Sequence, residues 1–446
     1  MDMQEVQIFV DLFALGFFVV VICLMVFFCK WFHLFMKRRR FFYELEIGSL
    51  CKRRQVKGHE EEEHEKKNDN EEKAWWHQAK IYHLLIDRFN GGWTTPPESK
   101  DRFVGGTLKG VTEKLDYISG LGFNSIMLSP FFKSKAYHGY HTLAYDEIDC
   151  HFGSWSDLYE LIDAAHKKKL KVICDFVPNH CHEENPIFKE SLSPLKRKTR
   201  KWFYYKGIVS SDYISFLHYN HLPKFNLHNE ETAEYLINVA EMLIYCGVDG
   251  IRIDHVIGLP FDFLKNLQNR IKAINPEVFV FGEATAFSIK EFSQIEFISE
   301  RHRELAEKGE LSRDELQKQY IGVIDGVLDF EYRRFLISEI EKGHRFMGNL
   351  ELIRKLQRHF AEYPRNFSPV LFLDNHDLDR FMYFCNGDKT LLDEAVEFTR
   401  SLPYPFTYYY GTEQYMTNDP SIINAEPYAD LRVRLPMDWS NQSRRL

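Results

Sequence analysis

The chain has 446 residues, 44% of them hydrophobic and 15% aromatic, and carries a net charge of −8. That supports one large domain or two ordinary ones with a sizeable core, and the absence of a basic stripe among aromatics excludes nucleic acid as an expected partner. The 8 cysteines, at 23, 29, 51, 150, 174, 181, 246 and 385, show none of the close paired spacings of a zinc site or a disulfide scaffold.

In chain order, the first feature is LFALGFFVVVICLMVFFC, residues 12–29, which carries no charge and is prolonged by WFHLFM to Met36. That length spans a bilayer. Asp2, Glu5 and Asp11 precede it where a signal peptide would be basic, and no small-residue cleavage site follows. A single uncleaved transmembrane helix is therefore expected within an anchor of residues 1–40. Lys37, Arg38, Arg39 and Arg40 follow at once and are expected to keep that flank, and the bulk of the chain, on the cytoplasmic side. The triplets at Asn366 and Asn441, if glycosylated, would argue for the other side. Residues 41–73 read as a charged linker, because HEEEEHEKKNDNEEK (59–73) has no apolar residue and cannot join a core.

From about residue 74, short apolar runs alternate with amphipathic stretches: KIYHLLI (80–86), NSIMLSP (124–130), KVICDFV (171–177), GVDGIRID (247–254), VFVFGEA (278–284), IDGVLDF (324–330), SPVLFLD (368–374) and PFTYYYG (405–411). SWSDLYELIDAAHKKKL (154–170) is one of the stretches between, with Ser154 or Ser156 placed to cap a helix. Eight strand-like runs separated by helical ones predict an α/β fold, a (β/α)8 TIM barrel over residues 74–446. An open doubly wound sheet is the alternative, but no glycine-rich phosphate turn follows the first run. About 70 residues separate the third run from the fourth, which predicts an inserted domain over roughly 180–232 containing LPKFN (222–226).

Polar residues collect where these runs end. DFVPNH supplies Asp175, Asn179 and His180; GIRID supplies Arg252 and Asp254; FGEA supplies Glu283; FLDNHD supplies His376 and Asp377. Residues two apart in a strand share a face, so Arg252 and Asp254 are expected to point together. Two carboxyl groups flanking an acetal are what glycoside cleavage requires, one ionised and one protonated. Arg252 is expected to hold Asp254 ionised, while burial raises Glu283 into the role of acid. A divalent-metal site built from the same carboxylates is the competing reading.

DFVPNH, GIRID, FGEA and FLDNHD resemble, in order and spacing, the four best-known motifs of the α-amylase family, glycoside hydrolase family 13. AYHGYHTLAYDEIDCHFG (136–153) and LPKFN resemble two more. The resemblance implies a retaining α-glucan hydrolase or transglycosylase that works through a covalent glycosyl-enzyme intermediate. It implies Asp254 as nucleophile, Glu283 as acid and base, and Asp377 as transition-state stabiliser. Arg252, His180, His376, Tyr140 and His138 would contact substrate or orient the nucleophile, with Asp175 and Asn179 structural beside the site. An α-glucan or maltooligosaccharide is the implied substrate, and LPKFN leans toward members acting on branched or short glucans.

The sequence also departs from the family. Where many members carry Lys and His three and four residues after the nucleophile, the latter lending a backbone calcium ligand in some, this chain has Ile257 and Gly258. Asn179 matches another ligand of that ion. No cofactor is expected to be required, and calcium dependence is expected to be weak. The β-sandwich that usually follows the barrel is not expected after RLPMDWSNQSRRL. A non-catalytic membrane partner that escorts a transporter is the alternative function, and the retained carboxylates with their Arg and His helpers weigh against it.

Overall fold

The computed structural model describes residues 74–91, 102–207, 211–217, 219–285, 308, 313–422 and 429–440. The expected anchor (1–40), the linker (41–73) and Asn441 lie outside the described residues. Among the described residues no helix is long and apolar enough to cross a membrane.

All eight apolar runs form strands. They are β1 (Lys80–Leu84), β2 (Ser125–Leu128), β3 (Lys171–Phe176), β6 (Gly250–Ile253), β7 (Phe279–Gly282), β8 (Gly326–Leu328), β9 (Ser368–Phe372) and β10 (Phe406–Tyr409). They close a parallel barrel in the order β1-β10-β9-β8-β7-β6-β3-β2. Nearly every strand residue is buried, as a sheet covered on both faces requires, and this is why the runs are continuously apolar rather than alternating. The remaining strands, β4 (Ser215–Phe216) and β5 (Tyr219–Pro223), form a separate antiparallel pair in the long connection after β3.

The barrel lumen is filled by Ile81, Met127, Ile173, Phe279, Phe281, Leu328, Val370 and Phe372. At its N-terminal end Trp76 stacks on Phe279 with centroids 5.5 Å apart, and Lys272 Nζ lies 4.2 Å from the Trp76 ring. That end is plugged, so chemistry is confined to the carboxyl ends of the strands. The outer helices include α1 (Trp155–Lys167) and α2 (Glu230–Tyr245), each burying one apolar face. Of the two cap candidates, Ser154 holds the position: its side chain accepts from Asp157 N, and the Asp157 carboxylate accepts from Ser154 N.

Candidate active site

The sheet register sets Asp175 beside Arg252 across β3 and β6, and Arg252 beside Phe281 across β6 and β7. Asp254 and Glu283 therefore come one pleat further on, at the rim. Arg252 is 1% exposed and gathers three carboxylates. Its Nη1 donates to Asp175 Oδ1 and Oδ2 at 2.8 Å each and to Asp254 Oδ1 at 2.9 Å; its Nη2 lies 3.0 Å from Glu283 Oε2. The shared face expected for Arg252 and Asp254 is thus present. The metal reading of these carboxylates fails on the same geometry, because a guanidinium already stands among them.

Tyr140 donates its hydroxyl to Asp175 Oδ2 at 2.6 Å, and its ring stacks on His376 with centroids 5.0 Å apart and planes 15° apart. Gly139 before it has φ +87°, and a Cβ there would meet Pro130 O at 1.9 Å, so the turn admits only glycine. His138 sits in this turn, accepting from Tyr140 N at 3.2 Å, and burial drives it well below the usual imidazole range, so it is neutral. His180 is likewise neutral: burial first, and Lys224 second, lower it to about 3 despite the Tyr140 backbone bond. Its ring stacks on Phe216 of β4, centroids 4.6 Å apart, and Phe216 packs edge-on against His255.

Asp377 accepts from His376 Nε2 at 3.0 Å and from Arg434 Nη2 at 2.7 Å. Burial works to raise its carboxyl, but His376 and Arg434 overcome it and hold Asp377 well below the usual carboxylate range. Arg434 is not among the sequence candidates. It also donates to His376 O at 2.8 Å and to Asp430 Oδ2 at 2.7 Å, and so fastens the loop after β9 to the segment after β10. The only sequence signal for it is the pair of arginines in RVRLPMDW, which lies beyond the last strand and outside any periodic element.

One electrostatic expectation is reversed. Arg252 does lower Asp254, but burial and the charges of Glu283, Asp175 and Asp377 outweigh it, and the Asp254 carboxyl lies well above its usual range. Glu283 is also raised, by burial first, with Asp377 and Asp175 adding and Arg252 opposing. Arg252 cannot neutralise three carboxylates at once. Asp175, which takes two of its contacts and the Tyr140 hydroxyl, is raised as well, because burial outweighs what one guanidinium can offset across the three coupled carboxyls.

The structure brings nine of the ten sequence candidates around this point: Asp254, Glu283, Asp377, Arg252, His376, Tyr140, His138, His180 and Asp175. Asn179 faces elsewhere. Its Oδ1 accepts from Lys224 Nζ, which also donates to Gly258 O at 2.6 Å. Calcium does not fit here, because an ammonium stands between the two oxygens that the ion would use. Among the described residues only Asp149, Cys150 and His151 bring three metal-type ligand atoms together, and Asp149 is engaged by Ser134 N and His151 N.

Comparison with known proteins finds relatives of the whole barrel. The chain is 34% identical to α-amylase 2 of Dictyoglomus thermophilum over 82% of its own length and 60% of that protein's. It is 27% identical to neopullulanase 2 of Thermoactinomyces vulgaris, again over 82% and 60%. It thus spans about 60% of the length of these curated relatives. Among solved structures, the α-amylase of Geobacillus thermoleovorans in complex with acarbose superposes with a TM-score of 0.63 at 27% identity, covering 82% of this chain and 76% of that one. The cyclic α-maltosyl-(1→6)-maltose hydrolase of Arthrobacter globiformis shares the fold with a TM-score of 0.68 at 22% identity, over 83% and 79%. Residues 63–445 match the α-amylase catalytic domain, and the chain belongs to the α-amylase family.

Proposed function

We propose that this chain cleaves α-glucosidic bonds in α-glucans or maltooligosaccharides with retention of anomeric configuration, passing the glycosyl group to water or to another sugar. The observation that carries the reading is the Arg252 node, which holds the Asp254 and Glu283 carboxyls at the two ends of one guanidinium, with burial raising both. A retaining mechanism needs its two carboxyls on either side of one anomeric carbon, and both of these contact one guanidinium.

In the productive form Glu283 is protonated and Asp254 is ionised. An Asp254 oxygen bonds to the anomeric carbon as the glycosidic C–O bond breaks, and the Glu283 proton passes to the leaving oxygen. Glu283, now ionised, takes a proton from water, whose oxygen displaces Asp254 and restores the starting state. Asp377, held ionised by His376 and Arg434, faces the positive charge that develops on the sugar. Neutral His138 and His180 offer hydrogen bonds to hydroxyls without adding positive charge.

The same proposal places the barrel on the cytoplasmic side of a membrane, tethered by residues 12–29 as a single-pass anchor. Its support is the uncharged run and the Lys37–Arg40 flank.

The deciding experiment compares Asp254→Asn and Glu283→Gln on maltooligosaccharides and on a glucoside with an acidic leaving group. Asp254→Asn is expected to lose several orders of magnitude in kcat on both. Glu283→Gln is expected to lose as much on the natural substrate and much less on the activated one, which needs little protonation. Near-normal turnover by Asp254→Asn would remove the mechanism, and equal losses for Glu283→Gln on both substrates would remove its acid role. Products longer than the starting sugar would identify transfer, and shorter ones alone hydrolysis.

A further inference from the structure

Lys224 is a buried lysine in an unusual setting, and burial lowers its ammonium to about 7. It is 4% exposed, yet among the described residues no carboxylate pairs with its ammonium. What surrounds Nζ are neutral oxygens: the amide oxygen of Asn179, after β3, and the carbonyl oxygen of Gly258, after β6. A buried charge without a counter-ion is costly unless strong acceptors satisfy it. Amide and carbonyl oxygens converging on one point are the ligands that a hard divalent cation takes.

The neighbouring chain is built to the same plan. A Cβ on Gly258 would stand 2.5 Å from Asn179 Oδ1 and 3.0 Å from Lys224 Nζ, so glycine at 258 and lysine at 224 form a matched pair. The backbone at 222–226 runs beside residues 179–181, with Phe225 N donating to Asn179 O at 3.0 Å and Cys181 N to Pro223 O at 3.2 Å. Three segments therefore meet at Nζ: the β3 loop that carries His180, the β6 loop that begins with Asp254, and the inserted segment that carries Phe216.

We infer that Lys224 is a built-in cation that replaces the calcium ion at this junction, tying the inserted segment to the loops after β3 and β6 and so holding His180 and the Asp254 loop in place without metal. Lys224 is on this account a positioning residue, and the inference concerns the scaffold whatever glucosidic bond the chain cleaves. The lysine excludes a divalent ion by occupying the space and, while protonated, by repelling the charge.

The test uses the full chain in detergent, following the thermal midpoint at a fixed heating rate and kcat in parallel, with chelator or with millimolar calcium chloride. The wild-type midpoint is expected to be the same in both. Lys224→Met, which leaves two buried oxygens without a donor, is expected to fall by roughly 4–8 °C and to ignore calcium. Lys224→Asp supplies a carboxylate among the same oxygens. It is expected to be low in chelator and to recover both midpoint and kcat as calcium is added, with KM little changed. The Asp variant keeps the test decisive if the Met variant does not fold. A wild-type midpoint that falls on chelation and returns with calcium would overturn the inference, as would a Met variant as stable as wild type or an Asp variant indifferent to calcium. Recovery of the midpoint without kcat would remove the positioning role.

Discussion

At the residue scale the site is organised by two arginines, one legible in the sequence and one not. Arg252 stands out because it lies two positions before Asp254 in a strand, where periodicity alone fixes that the side chains share a face. Arg434 occupies a loop after β10, where no period constrains direction, and only the fold reveals that its guanidinium reaches Asp377 at 2.7 Å. A hydrogen bond to a charged partner contributes about 1.5–3 kcal/mol, so Arg434→Met should lower kcat roughly 10- to 150-fold, with Arg434→Lys retaining part of the activity. Steady-state kinetics on maltooligosaccharides check this, and an unchanged kcat would leave Arg434 only a structural tie. The raised Asp254 and Glu283 carboxyls also make a pH prediction. A carboxyl raised in the folded state adds no cost below its unfolded value, and its cost grows as pH rises through the folded value. Asp254→Asn or Glu283→Gln should therefore raise the thermal midpoint at pH 8 more than at pH 4, by roughly 2–4 °C, while destroying activity. Equal shifts at both pH values would mean that the pair carries no excess charge.

At the scale of elements, the barrel strands were legible because parallel strands covered on both faces must be apolar throughout, and runs such as SPVLFLD need no alternation to be recognised. The inserted segment was not legible for the opposite reason. β4 has 2 residues and β5 has 5, and only Leu222 and Pro223 of the pair are buried, so neither strand carries a periodic pattern long enough to read. The turn at Gly139 was not read from the sequence; it admits only glycine, unlike the ordinary cap at Ser154. Ser154→Ala removes the N-cap of α1 and should cost about 1 kcal/mol of stability with kcat/KM unchanged. Gly139→Ala forces a side chain against the Pro130 carbonyl at positive φ, so it should displace His138 and Tyr140 and lower kcat/KM by roughly tenfold or more even where the fold survives. Thermal unfolding beside steady-state kinetics separates the two. A Gly139→Ala enzyme of normal activity would show that the HGY turn does not set the site.

For the whole molecule, the described chain enters the barrel at the N-terminal end of β1, the plugged end, while the carboxylates stand at the other. On the proposed membrane tether, the side that the barrel faces has to be read from a marker on the barrel itself. Asn366 is such a marker. It is exposed in the turn before β9, and Phe367 and Ser368 complete its triplet. Transfer of a glycan occurs on the lumenal side of a secretory membrane, while the chain is still entering, so the burial of Ser368 in the finished barrel does not protect the site. If Lys37–Arg40 retain the cytoplasmic side, the full chain expressed in a eukaryotic host should carry no glycan at Asn366, and added protease should reach the barrel on intact vesicles that expose their cytoplasmic face. Moving the charges inverts the expectation: replacing Lys37, Arg38, Arg39 and Arg40 by glutamine and adding lysines before Leu12 should turn the chain over and glycosylate Asn366. A glycosidase-sensitive mass shift mapped to Asn366 in the unaltered chain would place the barrel outside. It would leave the Arg252 node and its chemistry untouched, because nothing in that geometry depends on which face of the membrane the glucan approaches from.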